Sequence, residues 1–229
     1  MKLPETQLAD YHHDGFVVVN NVFPTDELDA IDQEIDRIQE ERAQSRQIKD
    51  NGWVMSLGLA SPITQNFCAD KRILDLVSAI VKPGISIYSA KLVAKEPFTT
   101  DICHWHQDDA YYSQHVDSKT RMSVWIPLQD STIEQGTIKV VPKSHKLGLQ
   151  NHGPRTDGTC KLSMPQNQNP EGQIHCPVKA GSMLLFSALL WHASEGNQTP
   201  NRRRAFIISY QEATVPKGNG KQYKILRSA

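Results

Sequence analysis

The most constraining feature of this chain is a His-x-Asp step, His106-Gln107-Asp108, followed far along the sequence by His192. Side chains two residues apart lie on the same face of an extended strand, so the step presents an imidazole and a carboxylate together. His192 completes a set of two histidines and one carboxylate. This set is typical of non-haem Fe(II) sites that leave coordination positions open for other ligands. The pattern therefore predicts that His106, Asp108 and His192 meet at a metal centre.

The sequence around these residues has the signals of a β-protein. From Ile85 onward, short apolar runs alternate with glycine, proline and polar turn residues. Short strands separated in this way are typical of a β-sandwich or a jelly roll. The predicted strands are 85–93, 123–128, 136–141, 183–186 and 205–210. The last two of them flank His192, which places this candidate ligand within the β-region.

The first part of the chain has helical patterning instead. The predicted elements are a short helix over 4–13, a strand over 16–19, a long helix from about 25 and a second helix over 72–81. In the long helix, Leu28, Ile31 and Ile35 recur at helical spacing, which indicates one face against a core. The acidic run over 26–41 is interpreted as the solvated face of that helix.

Length and composition favour one domain. A chain of 229 residues with 38% hydrophobic residues can fill one core. The expected organisation is a single domain over 1–229, with a mainly helical front (1–84), a jelly-roll core (85–212) and a tail (213–229). The region 148–177 is rich in Gly, Asn, Gln and Pro, and we expect it to be a lid. A poorly periodic stretch over 51–62 is expected to meet this lid.

Charge and hydropathy limit the kinds of partner that we expect for this chain. Lysine plus arginine and aspartate plus glutamate number 25 each, so the formal net charge is +0 and nothing suggests a nucleic-acid partner. Residues 1–15 are charged and lack the apolar segment of a signal peptide. No apolar run approaches the roughly 18 residues that a membrane span needs. We expect a cytoplasmic protein without a membrane partner, and the lack of a second domain favours a small-molecule substrate.

Cysteine spacing bears on the redox state. Cys68, Cys103, Cys160 and Cys176 are widely separated and include no Cys-x-x-Cys pair. In a chain predicted to be cytoplasmic, this spacing favours free thiols over disulfides or a zinc site. We therefore expect all four cysteines to be reduced.

Four motifs in order make the chain resemble the phytanoyl-CoA dioxygenase family. They are Trp105-His106-Gln107-Asp108, then Gln135-Gly136 followed by Pro142-Lys143-Ser144-His145, then His192, then Arg203. The resemblance runs from about residue 11 to about residue 210. It implies a double-stranded β-helix, also called a jelly roll, with buttressing N-terminal helices. It also implies an Fe(II)- and 2-oxoglutarate-dependent oxygenase that uses O2 and releases succinate and CO2.

The same resemblance assigns roles to individual residues. It implies iron ligation by His106, Asp108 and His192, which would be the catalytic residues. It places Arg203, eleven residues after the distal histidine, on the far carboxylate of 2-oxoglutarate, which a guanidinium matches bidentately. Ser194, Trp125 and Lys91 stand at positions where the family contacts the cosubstrate. A core role for Trp125 is an equal alternative, and Lys91 is a candidate for a carboxylate on the cosubstrate or the substrate.

Several alternatives stay open on the sequence alone. Asp109 competes with Asp108, although strand alternation favours Asp108. Arg202 and Arg204 cannot be separated from Arg203, because both faces of the following strand carry apolar residues. His104 and His106 also form a His-x-His pair, which suggests a cupin-type metal enzyme. A jelly-roll sensor that binds 2-oxoglutarate without turnover is an alternative from a different class.

Overall fold

Helices dominate the first part of the chain. The computed structural model describes residues 1–45, 53–112, 118–164, 169–215 and 224–229. The first elements are α1 (Glu5–Asp14), β1 (Phe16–Val19), α2 (Thr25–Gln44), β2 (Trp53–Met55), a 3-10 helix (Leu57–Leu59), α3 (Pro62–Cys68) and α4 (Lys71–Val77). Gly15 ends α1 in the left-handed conformation, with φ of 88°. None of the helices in the described ranges combines the length and apolarity that crossing a bilayer demands.

Strands dominate the remainder. They are β3 (Ile85–Lys95), β4 (Cys103–His106), β5 (Met122–Pro127), β6 (Ile138–Val140), β7 (Gly153–Pro154), β8 (Leu162–Ser163), β9 (Ile174–His175), β10 (Met183–Ser187), β11 (His192–Ser194), β12 (Arg203–Gln211) and β13 (Ile225–Arg227). A short helix α5 (Asp109–Tyr112) follows β4, and a second 3-10 helix (Ser144–Leu147) follows β6. All five β-strands predicted downstream of residue 84 are present, with bounds that differ by a few residues.

Two antiparallel sheets form the jelly roll. The larger sheet has seven strands in the order β1-β10-β5-β12-β3-β13, with β2 also paired to β3. The smaller sheet has the order β4-β11-β6-β9, and β7 pairs with β8. Neighbours in both sheets are far apart in sequence, as in β3 and β12, which is the topology of a jelly roll. The predicted fold class is confirmed.

Strand alternation divides the core into two layers. On β12, Phe206 and Ile208 pack with the residues of α2, α3 and α4 on the outer face of the larger sheet. Ala205 lies on the opposite face, with Trp125 and Phe186, between the two sheets. The helices therefore cover one face of the large sheet, and its other face is available to line an interior site.

The acidic run on α2 is only partly solvated, contrary to the prediction. Asp32 and Glu34 are buried. Nη1 of Arg204 lies 2.7 Å from Oδ1 of Asp32 and 2.6 Å from Oδ1 of Asp36. The sequence pattern missed this contact because the partner arginine lies on β12, far along the chain. The predicted helix over 72–81 is also shorter, since α4 ends at Val77.

Candidate active site

The three predicted ligands meet between the two sheets. His106 and His192 are direct partners in the pairing of β4 with β11, and their ring centroids lie 4.0 Å apart. Nε2 of His192 lies 3.8 Å from Oδ1 of Asp108. One donor atom from each residue falls within 4.8 Å of the other two, and all three residues are buried. The pairing of these two strands therefore brings His192 beside His106, although the two residues are far apart in sequence.

Backbone carbonyls fix the tautomer of both imidazoles. Nδ1 of His106 donates to the carbonyl oxygen of His104 at 2.8 Å, and Nδ1 of His192 donates to that of Leu190 at 2.9 Å. A carbonyl oxygen only accepts, so each Nδ1 carries the proton and each Nε2 keeps its lone pair. Metal-bound histidines are oriented in this way. The donor set therefore fits a divalent cation.

Burial keeps the donors in the protonation states that a metal requires. It lowers the pKa of His106 well below its usual value, and His192 lowers it further. Burial also lowers the pKa of His192. For Asp108, burial alone would raise the pKa, but Lys91 and the two imidazoles lower it. At neutral pH, two neutral imidazoles and one carboxylate face each other.

Asp108 and Asp109 have different contacts in the structure. Asp109 begins α5 and forms a buried ion pair with Arg121. Asp108 lies beside His192 instead. Strand alternation favoured Asp108, which joins the cluster, although β4 ends at His106 and Asp108 lies in the turn that follows.

The three consecutive arginines point to three different places. Arg202 is exposed and lies 3.3 Å from Asp36. Arg204 is buried against α2, as described above. Arg203 is also buried, but it lines the cavity that holds His106, Asp108 and His192. Only the residue indicated by the family resemblance reaches this cavity.

The Arg203 guanidinium is available to an anion. Among the residues that the structure describes, no carboxylate forms an ion pair with Arg203, and its Nε has no hydrogen-bond partner. Its Nη2 donates to the carbonyl oxygen of Gly136 at 2.5 Å. Burial lowers the pKa of Arg203 to about 10, which leaves the group charged at neutral pH. An unpaired buried charge is costly, so this group is suited to an anionic ligand.

Gly136 must be glycine for this arrangement. Its φ is +68°, and an added Cβ would lie 2.4 Å from the carbonyl oxygen of Glu195. A side chain would therefore displace the backbone that supplies a hydrogen-bond acceptor to Arg203. This explains the Gln135-Gly136 step noted in the sequence.

The other predicted cosubstrate contacts line the same cavity. Ser194 comes from β11, Trp125 from β5 and Lys91 from β3. The Arg203 guanidinium carbon lies 5.6 Å from the Trp125 ring centroid. Trp125 is also part of the apolar layer between the sheets, so it belongs to both the core and the cavity wall. Sequence reasoning did not single out Trp53, which lies 5.2 Å from the Lys91 ammonium.

His104, the residue on which the cupin alternative depends, lies outside the ligand cluster. Its Nε2 lies 3.1 Å from Asp157 and 3.2 Å from a guanidinium nitrogen of Arg155. These groups border a second cavity of about 380 Å³, whose lining does not include the three ligands. His104 contributes its carbonyl oxygen to His106 but not its ring.

The prediction of four reduced cysteines is wrong for Cys103 and Cys160, which form a disulfide. Cys68 and Cys176 are free and buried. The pair forms because the segment before β8 runs beside β4, where the Thr159 amide donates to the carbonyl oxygen of Ile102 at 2.9 Å. Cysteine spacing cannot show this approach. Cys103 and Cys160 both border the cavity that holds the three ligands.

We expect non-reducing peptide mapping to recover Cys103 and Cys160 in one linked peptide. Because the bond closes a long loop, with a sequence separation of 57, its reduction should lower the free energy of unfolding by about 4 kcal/mol at most. Amide exchange should rise in 153–164. Cys176→Ser is the matched control and should leave both the linked peptide and the exchange of 153–164 unchanged. Recovery of both residues as free thiols from unreduced protein would contradict the assignment.

Comparison with known proteins agrees with this geometry. The family model described as phytanoyl-CoA dioxygenase (PhyH) matches residues 11–205. A phytanoyl-CoA dioxygenase domain-containing protein 1 homolog of Dictyostelium discoideum is 23% identical, over 93% of this chain and 92% of its own length. An ectoine dioxygenase of Sphingopyxis alaskensis is 25% identical, over 88% of this chain and 74% of its own length.

Solved structures share the fold. The α-ketoglutarate-dependent carbocyclase SnoK from nogalamycin biosynthesis superposes with a TM-score of 0.77 at 21% identity, covering 96% of this chain and 88% of SnoK. EctD from S. alaskensis, solved with 2-oxoglutarate and 5-hydroxyectoine, gives 0.73 at 20% identity, covering 93% and 77%. The family model spans most of the sequence, including all three clustered ligands. The chain therefore belongs to the phytanoyl-CoA dioxygenase family, and it is an oxidoreductase of the dioxygenase class.

Proposed function

We propose that this protein is an Fe(II)- and 2-oxoglutarate-dependent oxygenase that oxidises a C–H bond of a small-molecule metabolite. The observation that supports it is one cavity holding both a two-histidine, one-carboxylate cluster and a buried guanidinium without an ion-pair partner among the described residues. The first group fits iron and the second fits the far carboxylate of a keto acid. Neither group alone would indicate an enzyme that uses iron together with a keto acid.

The residues have distinct roles in this proposal. His106, Asp108 and His192 would hold the iron, which when bound would supply the activation of O2 that couples release of succinate and CO2 to substrate oxidation. Arg203 orients 2-oxoglutarate through a charged, bidentate contact. Ser194 and Trp125 complete the wall around the cosubstrate. The buried position of the cluster keeps bulk water away from the reacting groups.

The relatives of this chain support a small-molecule substrate. Similar proteins include an ectoine dioxygenase, and a carbocyclase and an epimerase from nogalamycin biosynthesis. We therefore state the reaction as oxidation of a C–H bond, with hydroxylation as one outcome. Cytoplasmic location and the lid over 148–177 stay predictions. Within this region, Leu162 contacts the Tyr111 hydroxyl, which both donates to the carbonyl oxygen of Leu162 and accepts from its amide, at 3.2 and 2.9 Å.

Anaerobic titration tests the paired binding of metal and cosubstrate. Fe(II) added to the apoprotein should bind once per chain, and 2-oxoglutarate added next should produce the visible charge-transfer absorption of a chelated keto acid. Succinate, which lacks the keto group, is the matched control and should produce no such absorption. Binding of 2-oxoglutarate without this absorption would contradict iron chelation.

Charge balance around Lys91 indicates an anionic group on the substrate. Burial would lower the pKa of the Lys91 ammonium, but its neighbours, with Tyr112 and Asp108 foremost, raise it, so the group stays charged. In the loaded site, the charges of iron and 2-oxoglutarate would cancel, and Asp108 would offset only one of the two cations Lys91 and Arg203. One positive charge in the cavity wall would then be left unbalanced, and a carboxylate on the substrate would neutralise it.

We expect Lys91→Met to leave 2-oxoglutarate affinity within about threefold and to weaken binding of a carboxylate probe by about tenfold or more. The probe is propionate, added anaerobically to the Fe(II)–2-oxoglutarate complex, with neutral propionamide as its control. Lys91→Arg keeps the charge and should retain propionate binding. Equal propionate binding by wild type and Lys91→Met would contradict the assignment. A large loss of 2-oxoglutarate affinity would instead place Lys91 on the cosubstrate.

A further inference from the structure

A chain of buried hydroxyl groups lies behind the Asp108 carboxylate. Ser123 Oγ donates to Asp108 Oδ2 at 2.5 Å. Ser209 Oγ lies 3.0 Å from Ser123 Oγ, and the Tyr112 hydroxyl lies 3.3 Å from Ser209 Oγ. All four residues are buried, with Ser123 fully inaccessible. The proposed function uses Tyr112 only as a neighbour of Lys91 and gives the two serine hydroxyls no role.

The register of the larger sheet brings the two serine hydroxyls together. Ser123 on β5 and Ser209 on β12 are direct partners in the larger sheet, on the face that lines the interior. Tyr112 ends α5, the helix that follows Asp108. The hydroxyls therefore come from three elements that approach one another only in the folded jelly roll, and their contacts fix Asp108 relative to the large sheet.

The carboxylate sets the direction of the hydrogen bonds. An ionised carboxylate only accepts, so the single hydroxyl proton of Ser123 is used on Asp108. Ser209 must then donate to Ser123, and Tyr112 must donate to Ser209. Each donor is polarised by the next, and a hydrogen bond to a charged acceptor is stronger than a neutral one. Ser123 thereby holds Oδ2 in a defined place.

The two oxygens of Asp108 consequently have different environments. Oδ1 faces Nε2 of His192 at 3.8 Å, on the side of the ligand cluster. Oδ2 is engaged by Ser123. A facial triad with one carboxylate oxygen on the metal leaves three positions open. A second carboxylate oxygen would take one of these positions, and the keto acid takes two, so none would remain for O2.

We propose that Ser123 is a positioning residue that keeps Asp108 ligation to a single oxygen and so preserves the coordination position for O2. The inference rests on the proposed function, because it concerns the metal that His106, Asp108 and His192 would hold. It adds a residue outside the ligand set, on a different sheet from both histidines. It also predicts that removing a hydroxyl weakens Fe(II) binding less, the further that hydroxyl lies from Asp108.

The test compares Ser123→Ala, Ser209→Ala and Tyr112→Phe by anaerobic Fe(II) and 2-oxoglutarate titration. Ser123→Ala should weaken Fe(II) binding by roughly 10- to 100-fold, the usual effect of removing a group that orients a ligand. X-ray absorption of the 2-oxoglutarate-free Fe(II) form should show a longer or split iron–oxygen shell as Oδ2 joins the metal. Ser209→Ala should give a smaller loss, and Tyr112→Phe the smallest.

Two further variants control for packing. Ser123→Thr retains the hydroxyl and should bind Fe(II) like wild type. Ser86→Ala removes another buried serine hydroxyl of the larger sheet, one that donates to the backbone carbonyl oxygens of Gln211 and Glu212, and should leave Fe(II) affinity unchanged. If Ser123→Ala does not fold, the Fe(II) affinities of Ser209→Ala and Tyr112→Phe still test the inference, because Ser209→Ala should show the larger loss. Wild-type affinity in both Ser123→Ala and Ser209→Ala would overturn the inference. Failure of wild type to bind Fe(II) would instead overturn the proposed function.

Discussion

Replacing His192 with alanine should abolish iron binding and turnover. Removing a residue that only orients a metal ligand costs about 10- to 100-fold in affinity, so removing a ligand should cost at least as much. His192 is buried between the sheets, beside His106 and Asp108. We expect the purified His192→Ala protein, after anaerobic Fe(II) loading and desalting, to hold less than about a tenth of the wild-type iron.

His104→Ala is the matched control for this experiment. His104 lies on the same strand as His106, but its ring contacts Asp157 and Arg155 rather than the ligand cluster. We expect this variant to retain iron. Loss of iron from His104→Ala together with full retention by His192→Ala would support the cupin-type arrangement and contradict ours.

Replacing Arg203 with alanine should have the second-largest effect, on 2-oxoglutarate affinity. Removing one partner of a desolvated charge pair costs on the order of 2–5 kcal/mol, which corresponds to roughly 30-fold or more. Arg203 has only the carbonyl oxygen of Gly136 as a hydrogen-bond acceptor within the described parts of the chain, so its charge is available to the cosubstrate. Anaerobic titration of the Fe(II) protein with 2-oxoglutarate measures this loss directly.

Arg202→Ala serves as the neighbouring control, since Arg202 is exposed and contacts α2. Its 2-oxoglutarate affinity should stay within about twofold of wild type, as is usual for an exposed charge. Arg203→Lys should recover only part of the affinity, because an ammonium lacks the planar, two-pronged geometry of a guanidinium. A large defect in Arg202→Ala with none in Arg203→Ala would show that the cosubstrate lies elsewhere.

The parts of the site that follow local rules could be predicted from the sequence. His106 and Asp108 are two residues apart, so their proximity depends only on the end of β4 and the turn that follows it. The strands of the large sheet carry continuous apolar runs, because both of their faces are covered. Arg203 could be proposed from the family resemblance, but alternation alone could not choose it, since β12 is buried on both faces.

Contacts between distant strands could not be predicted in this way. Ser123 meets Asp108 because β5 and α5 converge in the folded chain, and nothing near either residue in sequence marks the other. The disulfide of Cys103 with Cys160 depends similarly on where the segment before β8 lies. The ion pair of Arg204 with Asp32 joins β12 to α2. Each of these contacts is set by register and packing rather than by local pattern.

Succinate formation tests the central claim most directly. The protein is incubated with Fe(II), 2-oxoglutarate and isotopically labelled O2, without added substrate, and succinate is analysed by mass spectrometry. We expect slow formation of succinate carrying one labelled oxygen atom in wild type, and none in His192→Ala. A sensor that binds 2-oxoglutarate without turnover would give no succinate from either protein. That result, obtained with wild-type protein shown to hold both Fe(II) and 2-oxoglutarate, would contradict the assignment as an oxygenase.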